Sequence, residues 1–368
     1  MPDSNPAVPE QTASGPPAPH RRRPRYPGKN PRRFQEKYKE LSPELYGDDI
    51  AKVLASGKTP AGSHRPIMVT EILGVLALQP GELAIDCTLG YGGHARELLA
   101  RVAPGTSRPR GRLIGLDVDP IEHPKTIARL RAAGWDESVF TPVRSNFAAL
   151  PKILAELGVG VADAILADLG VSSMQLDDPG RGFTFKADSP LDLRLNPQRP
   201  PSAADWLARV SVADLAATLA LNADEPQAGL LAHELVERRG TTPFVRTVQL
   251  AEAIREILSR YHRPGGSREG DDACVRRVFQ ALRIAVNDEF GVLDLFLRQL
   301  PSCLNSRGRV AILTFHSGED RRVKQAFREG RRRGIYAAIN EDVVRAGPEE
   351  LRANPRSSSA KLRWAVLS

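Results

Sequence analysis

Four side chains suited to gripping a small polar ligand, Asp86, Asp117, Phe147 and Asp168, each stand at or just beyond the end of an apolar run. The first run, Glu82 to Ile85, stops in the turn Asp86-Cys87-Thr88-Leu89-Gly90-Tyr91-Gly92-Gly93-His94, and Ala95 to Val102 then reads as a helix. Glycine permits both a tight turn and a close approach of backbone to ligand, so strand, glycine-rich turn and helix suit a nucleotide-like molecule. The second run, Arg112 to Leu116, ends in Asp117, 24 residues after Gly93. That is the spacing at which a carboxylate accepts hydrogen bonds from ribose hydroxyls. The chemistry indicated is the binding of a nucleoside cofactor. The pattern Gly90-x-Gly92-Gly93 lacks the third glycine of the dinucleotide fingerprint and does not fit a phosphate-binding P-loop, which disfavours a nicotinamide dehydrogenase.

The elements that must hold these residues follow the same rhythm. Val139 to Val143 reads as a third strand, followed by Ser145-Asn146-Phe147, and Ala162 to Asp168 as a fourth, followed by Leu169-Gly170-Val171-Ser172-Ser173. Strands alternating with helices predict an α/β fold with a doubly wound, mainly parallel sheet. Ligands of such sheets lie beyond the carboxyl ends of the strands, where all four residues fall. A helix begins within Ser63 to Leu73 and is ended by Pro80-Gly81. From Pro197 to Asp272 the periodicity is helical, over Ala204 to Val210, Val212 to Ala220, Gly229 to Arg238 and Val248 to Tyr261. The α/β pattern resumes with a helix from Val275 to Leu304, a strand Arg309 to Phe315, a loop His316 to Arg322 and a last strand Lys361 to Leu367. The charges of that last strand place it at the sheet edge. The expected division is an N-terminal extension at 1–62, an α/β domain formed by 63–196 and 273–368, and an inserted helical domain at 197–272.

Composition narrows the partners. A net charge of +8 on 368 residues points to a polyanion, with nucleic acid first. The absence of an 18-residue apolar run argues against a membrane partner. Cys87, Cys274 and Cys303 make neither a disulfide framework nor a zinc site, and no apolar segment follows Met1, so a cytoplasmic location is expected. Nine Lys or Arg lie between His20 and Lys39, interleaved with Tyr26, Phe34 and Tyr38; they read either as an electrostatic arm for RNA or as a solvated, disordered tail. The run Arg321 to Arg333, seven basic residues with one acid, reads as contacts to phosphates.

Six separated blocks, in order from about His64 to the C-terminus, carry a resemblance. They are the turn Asp86 to His94; Asp168-Leu-Gly-Val-Ser-Ser-x-Gln-Leu-Asp177; Arg181-Gly-Phe-Thr-Phe185 with Pro190-Leu-Asp192-x-Arg194; Phe279 to Glu289; Phe315-His-Ser317 with Glu319-Asp-Arg321; and Asn354-Pro-Arg-Ser-Ser-Ser-Ala-Lys-Leu-Arg363. The chain resembles the bacterial small-subunit ribosomal RNA cytosine-N4 methyltransferase family, and only the first sixty or so residues lie outside the likeness. The resemblance implies a class I, Rossmann-like methyltransferase fold using S-adenosylmethionine and no metal. It also implies a target cytidine in the decoding region of 16S ribosomal RNA, with the small subunit as partner and the enzyme a monomer or homodimer. It places the cofactor on Gly92, Gly93, His94, Asp117, Phe147, Asp168 and Gln175. Gly318, Met174 and Asp272-Ala273-Cys274 depart from the family pattern, away from those seven positions.

A sulfonium methyl donor requires neither metal nor covalent intermediate. The cytosine amine is a poor nucleophile because its lone pair is delocalised, so the site must align it and accept hydrogen bonds from its protons. Asp168 is the candidate catalytic residue; the carbonyls of Leu169 to Ser172, the hydroxyls of Ser172 and Ser173, and His316 with Glu319 and Asp320 are alternatives. His94 is expected to act through its backbone. Rival readings are an amino-methyltransferase on another nucleic acid, whose usual Pro-Pro-aromatic loop is missing after Asp168, and a non-catalytic ribosome-assembly or RNA-binding factor.

Overall fold

Alternate residues of the central strands face opposite ways, and each face of the sheet has acquired its own helices. The structure, a computed structural model of the chain, describes residues 66–105, 110–172, 175–176, 178–261 and 268–368. The basic arm, the expected helix start at 63–65, and Ser173, Met174 and Asp177 lie outside the described residues. Seven strands are present: β1 Leu83–Asp86, β2 Arg112–Asp117, β3 Phe140–Arg144, β4 Ala162–Asp168, β5 Leu304–Thr314, β6 Tyr336–Ile339 and β7 Lys361–Leu367. They form one sheet in the order β3-β2-β1-β4-β5-β7-β6. Strands β1 to β5 pair in parallel, whereas β7 runs antiparallel to both neighbours.

Leu113, Leu166 and Leu313 point to one side, where α1 (Val69–Leu76), α2 (Gly93–Val102) and α3 (Glu122–Ala132) cover them. Ile114, Ile165 and Ile312 point to the other, against α4 (Leu150–Glu156) and two later helices, α10 (Glu289–Gln299) and α11 (Ser317–Arg332). Burial on both faces explains the near-continuous apolar strands, and each such side chain contributes about 1.5–3 kcal/mol. The sheet is wound outward from β1 through β2 to β3 and restarts at β4 on the other side of β1. The crevice at that reversal, beyond the carboxyl ends of β1 and β4, is where this architecture takes ligands.

Between β4 and β5 the chain forms α5 (Ala203–Arg209), α6 (Val212–Ala223), α7 (Ala228–Arg239), α8 (Thr247–Tyr261) and α9 (Arg268–Asn287). Ser202 and Asp205 form a reciprocal capping box on α5, and the Ser211 hydroxyl caps α6, each satisfying N–H groups the helix leaves open. Their shared core takes in Phe183, Leu191 and Leu193 before the helices and Val275 to Leu282 along α9.

Three expectations need correction. The helix read over Val275 to Leu304 is two helices, broken at Asp288, whose φ of 49° is left-handed. The first helix, α1, stops at Leu76, before Pro80. The C-terminal strand is not at the edge: β6, absent from the sequence reading, takes that place, and α12 (Pro348–Ala353) and the short 3-10 segment Pro355–Ser359 follow it in the chain before β7. The charges on β7 are answered inside the fold, where Arg363 and Lys361 both donate to Asp320 of α11.

Candidate active site

The turn after β1 is organised by the acid that ends β2. Asp117 accepts the Gly90 N–H at 2.7 Å on one oxygen and the Asp119 N–H at 2.8 Å on the other. Gly90 and Gly92 both have positive φ, which lets α2 begin at once with Gly93. The Thr126 hydroxyl of α3 donates to the Gly90 carbonyl, so the turn is held from the β2 side as well.

A cavity of about 470 Å³ opens at this point. Of the seven positions singled out in the sequence, Gly93, His94, Asp117, Phe147, Asp168 and Gln175 line it. Gly92 does not: a Cβ there would stand 3.0 Å from Thr126, so its glycine serves packing against α3. Phe147 packs edge-on against Phe296 of α10, with ring centroids 5.1 Å apart. The Gln175 amide is spoken for at both ends, accepting the Ser172 N–H at 2.9 Å and donating to Asp119 at 2.8 Å. Asp119, fully buried, also receives Arg181 at 2.7 Å and accepts N–H groups of Ile121 and Glu122 at the start of α3. Arg181 in turn donates to the carbonyls of Arg194 and Leu195. Sequence reasoning missed Asp119 and Arg181; nothing local links residues 62 positions apart, although Arg181 opens one of the motif blocks.

His94 and Asp168 line the cavity, with the buried Asp86 carboxyl behind them. His94 is 8% exposed, and its Nε2 lies 3.4 Å from Asp168 Oδ2, a contact of charge without hydrogen-bond alignment. Among the described residues Asp168 Oδ1 and Asp86 Oδ2 have no hydrogen-bond partner, while the Asp168 N–H donates to the Thr88 hydroxyl at 2.7 Å. Burial pushes the Asp86 carboxyl up to about 6, with His94 opposing. Burial likewise pushes Asp117 up to about 6 against the N–H groups it accepts. For His94, burial favours the neutral ring, but Asp168 and Asp86 outweigh it and raise the imidazole above its ordinary value.

The opposite wall comes from α9, α10 and the loop after β5. Arg283 pairs with Glu289 through two hydrogen bonds of 2.7 and 2.8 Å. His316 Nε2 stands 3.1 Å from Glu319, whose other oxygen accepts the Phe315 N–H. Burial would raise the Glu319 carboxyl, but His316, that N–H and Arg283 hold it below the ordinary range. The ligand atoms of Glu289, His316 and Glu319 lie within 4.8 Å of one another, with Glu289 already neutralised by Arg283. Asn287 donates to Leu193 O and accepts the Leu195 N–H, anchoring the segment that leads into the helical insertion to this wall. Four of the seven basic residues in the run Arg321 to Arg333 have acidic partners. Arg321 pairs with Asp224, Arg322 with Asp294, Arg328 with Glu341 and Arg332 with Glu329.

A doubly wound sheet with a reversed penultimate strand, a glycine turn after β1 and acids ending β1, β2 and β4 defines a methyltransferase of the S-adenosylmethionine-dependent, Rossmann-like class. The model of the MraW methylase family matches residues 61–367, and the chain belongs to that family. It is 46% identical over 349 residues to "Ribosomal RNA small subunit methyltransferase H 1" of Lachnoclostridium phytofermentans, covering 94% of this chain and 93% of that protein. It is 46% identical over 346 residues to "Ribosomal RNA small subunit methyltransferase H 2" of Alkaliphilus metalliredigens, covering 94% and 97%. "Ribosomal RNA small subunit methyltransferase H" of Thioalkalivibrio sulfidiphilus is 40% identical, covering 84% and 98%. The family match begins where the sequence likeness was read to begin, and the first two alignments also reach into the N-terminal extension.

Proposed function

We propose that the chain transfers the methyl group of S-adenosylmethionine to the N4 amine of a cytidine in the decoding region of 16S ribosomal RNA. The observation that carries this is Asp168: a carboxylate at the end of β4, lining the cavity beside the glycine turn, with an oxygen that no described donor satisfies. The cavity's residues fit the cofactor. Its volume is in the range of small-molecule sites. Each Asp117 oxygen accepts one N–H and has a further lone pair for a ribose hydroxyl. Phe147 offers an apolar surface for the adenine, and Gly93 and His94 border the methionine end beside Asp168, with Gln175 bracing the Ser172 loop.

When bound, the cofactor supplies a methyl carbon activated by the sulfonium. The protein's part is to align the amine in line with that carbon and accept its hydrogen. With the cofactor bound, Asp168 would take one proton from N4 as the amine receives the methyl group and would release it to water. The target base leaves its stack to enter between the sheet and the wall of α9, at little expense in single-stranded RNA. The insertion 197–272 presents the RNA-facing surface, and the basic arm before residue 40 adds affinity through counterion release. The reaction belongs to a cytoplasmic enzyme acting as monomer or homodimer.

Incubating the protein with tritiated S-adenosylmethionine and unmodified small subunits, or naked RNA, and then mapping the modified base tests this. Labelled N4-methylcytidine is expected. Cofactor binding without transfer to either substrate would favour an assembly factor.

A further inference from the structure

We propose that the His94 side chain is a positioning residue for methyl transfer: as an imidazolium it holds the Asp168 carboxylate by charge, ready to take the amine hydrogen. The inference rests on the reading of Asp168 as the amine's acceptor. His94 is the second residue of α2, so the turn that seats the helix also carries the ring beneath the end of β4. The main chain of Asp168 is fixed by the Thr88 hydroxyl, while among the described residues its Oδ1 has no hydrogen-bond partner and its Oδ2 faces His94. A carboxylate at a cavity edge without such a restraint samples several rotamers, and only some present an oxygen to the base. The cation 3.4 Å away narrows that choice.

The groups facing His94 come from three elements: Asp168 on β4, Asp86 on β1 and Glu350 on α12. All are acids, and Asp117 helps to raise the Asp86 carboxyl, which favours its neutral form. Their combined field outweighs burial, so the ring is protonated over a wider range than a free imidazole and loses its charge as pH rises past that range. During the reaction the amine proton goes to Asp168 and then to water, and the two ring protons of His94 stay where they are. Its role is electrostatic, and it is no relay.

The test is single-turnover transfer of tritiated methyl to unmodified small subunits from about pH 6 to pH 9, with His94→Gln and His94→Phe beside the wild type. Cofactor affinity by calorimetry is measured in parallel. Glutamine keeps a neutral donor at the place of Nε2; phenylalanine keeps only the shape. The wild-type rate is expected to fall on the alkaline side as His94 deprotonates. His94→Gln should be at least tenfold slower near neutrality, have no such limb, and bind the cofactor within about threefold of wild type. His94→Phe should be slower still; should it not fold, the glutamine variant decides. A glutamine variant with the wild-type rate and an unchanged alkaline limb overturns the inference, as does a loss of cofactor affinity that matches the loss of rate. Absence of transfer by the wild type would instead overturn the functional reading, and this inference with it.

Discussion

Asp117 allows a prediction in which pH and substitution must agree. Burial raises its carboxyl to about 6 in the empty protein. Hydroxyl groups donate best to the anion, so cofactor affinity is full well above that value and is lost as pH falls through it. If the bound form titrates well below 5, linkage makes the dissociation constant about twofold higher at pH 6 and about elevenfold higher at pH 5 than on the plateau. Asp117→Asn keeps an acceptor oxygen for one of the two N–H groups it now serves but removes the charge. Losing charge-assisted bonds of about 1.5 kcal/mol or more should weaken binding at least tenfold at about pH 8. The variant should also be nearly flat with pH, so the two proteins converge near pH 5. Calorimetric titration of S-adenosylmethionine at several pH values reads both effects. A wild-type affinity that stays level down to pH 5 would refute the assignment. A variant that keeps the full pH dependence would transfer it to Asp86, the other acid raised to about 6.

Other perturbations separate chemistry from scaffolding. Asp168→Asn should lower the rate at saturating cofactor and RNA by at least a hundredfold, about 2.7 kcal/mol, while affinity changes less; equal losses would make Asp168 a cofactor ligand alone. Arg181→Met removes the charged partner of a fully buried Asp119 and should cost about 3 kcal/mol in denaturant unfolding, with Gln175 and the Ile121 and Glu122 N–H groups as the remaining donors; a loss under about 1 kcal/mol would show that Asp119 is satisfied without it. Gly182→Ala drives a Cβ into the Pro190 carbonyl at a φ of 70° and should destabilise the entry to the insertion, seen as a lower melting temperature. Deleting residues 1–40, which lie outside the described structure, should flatten the salt dependence of RNA binding and spare the single-turnover rate; a large loss of the saturated rate would give the arm a part in the site.

What the sequence determined by itself was whatever depends on neighbours along the chain. Apolar runs ending in Asp86, Asp117 and Asp168 marked three strands and the end of the sheet at which the cavity opens. A shift to helical spacing marked the insertion. Those patterns record burial on two faces or one, which each segment carries alone. The tertiary structure decided the rest, because pairing and charge compensation are non-local. The charged strand β7 lies inside the sheet, since Asp320 of α11 answers Arg363 and Lys361, and a four-residue β6 takes the edge. The basic run on α11 is largely paired, because Asp224, Asp294 and Glu341 arrive from elsewhere in the chain. Gly92 proved a packing residue against α3, and Arg181 reached a buried acid 62 positions away. The side chain of His94, which the sequence offered only as backbone, became part of the site when α2 was seated under β4, for the distance from an imidazole to a carboxylate 74 residues further on is set by how helix and sheet pack.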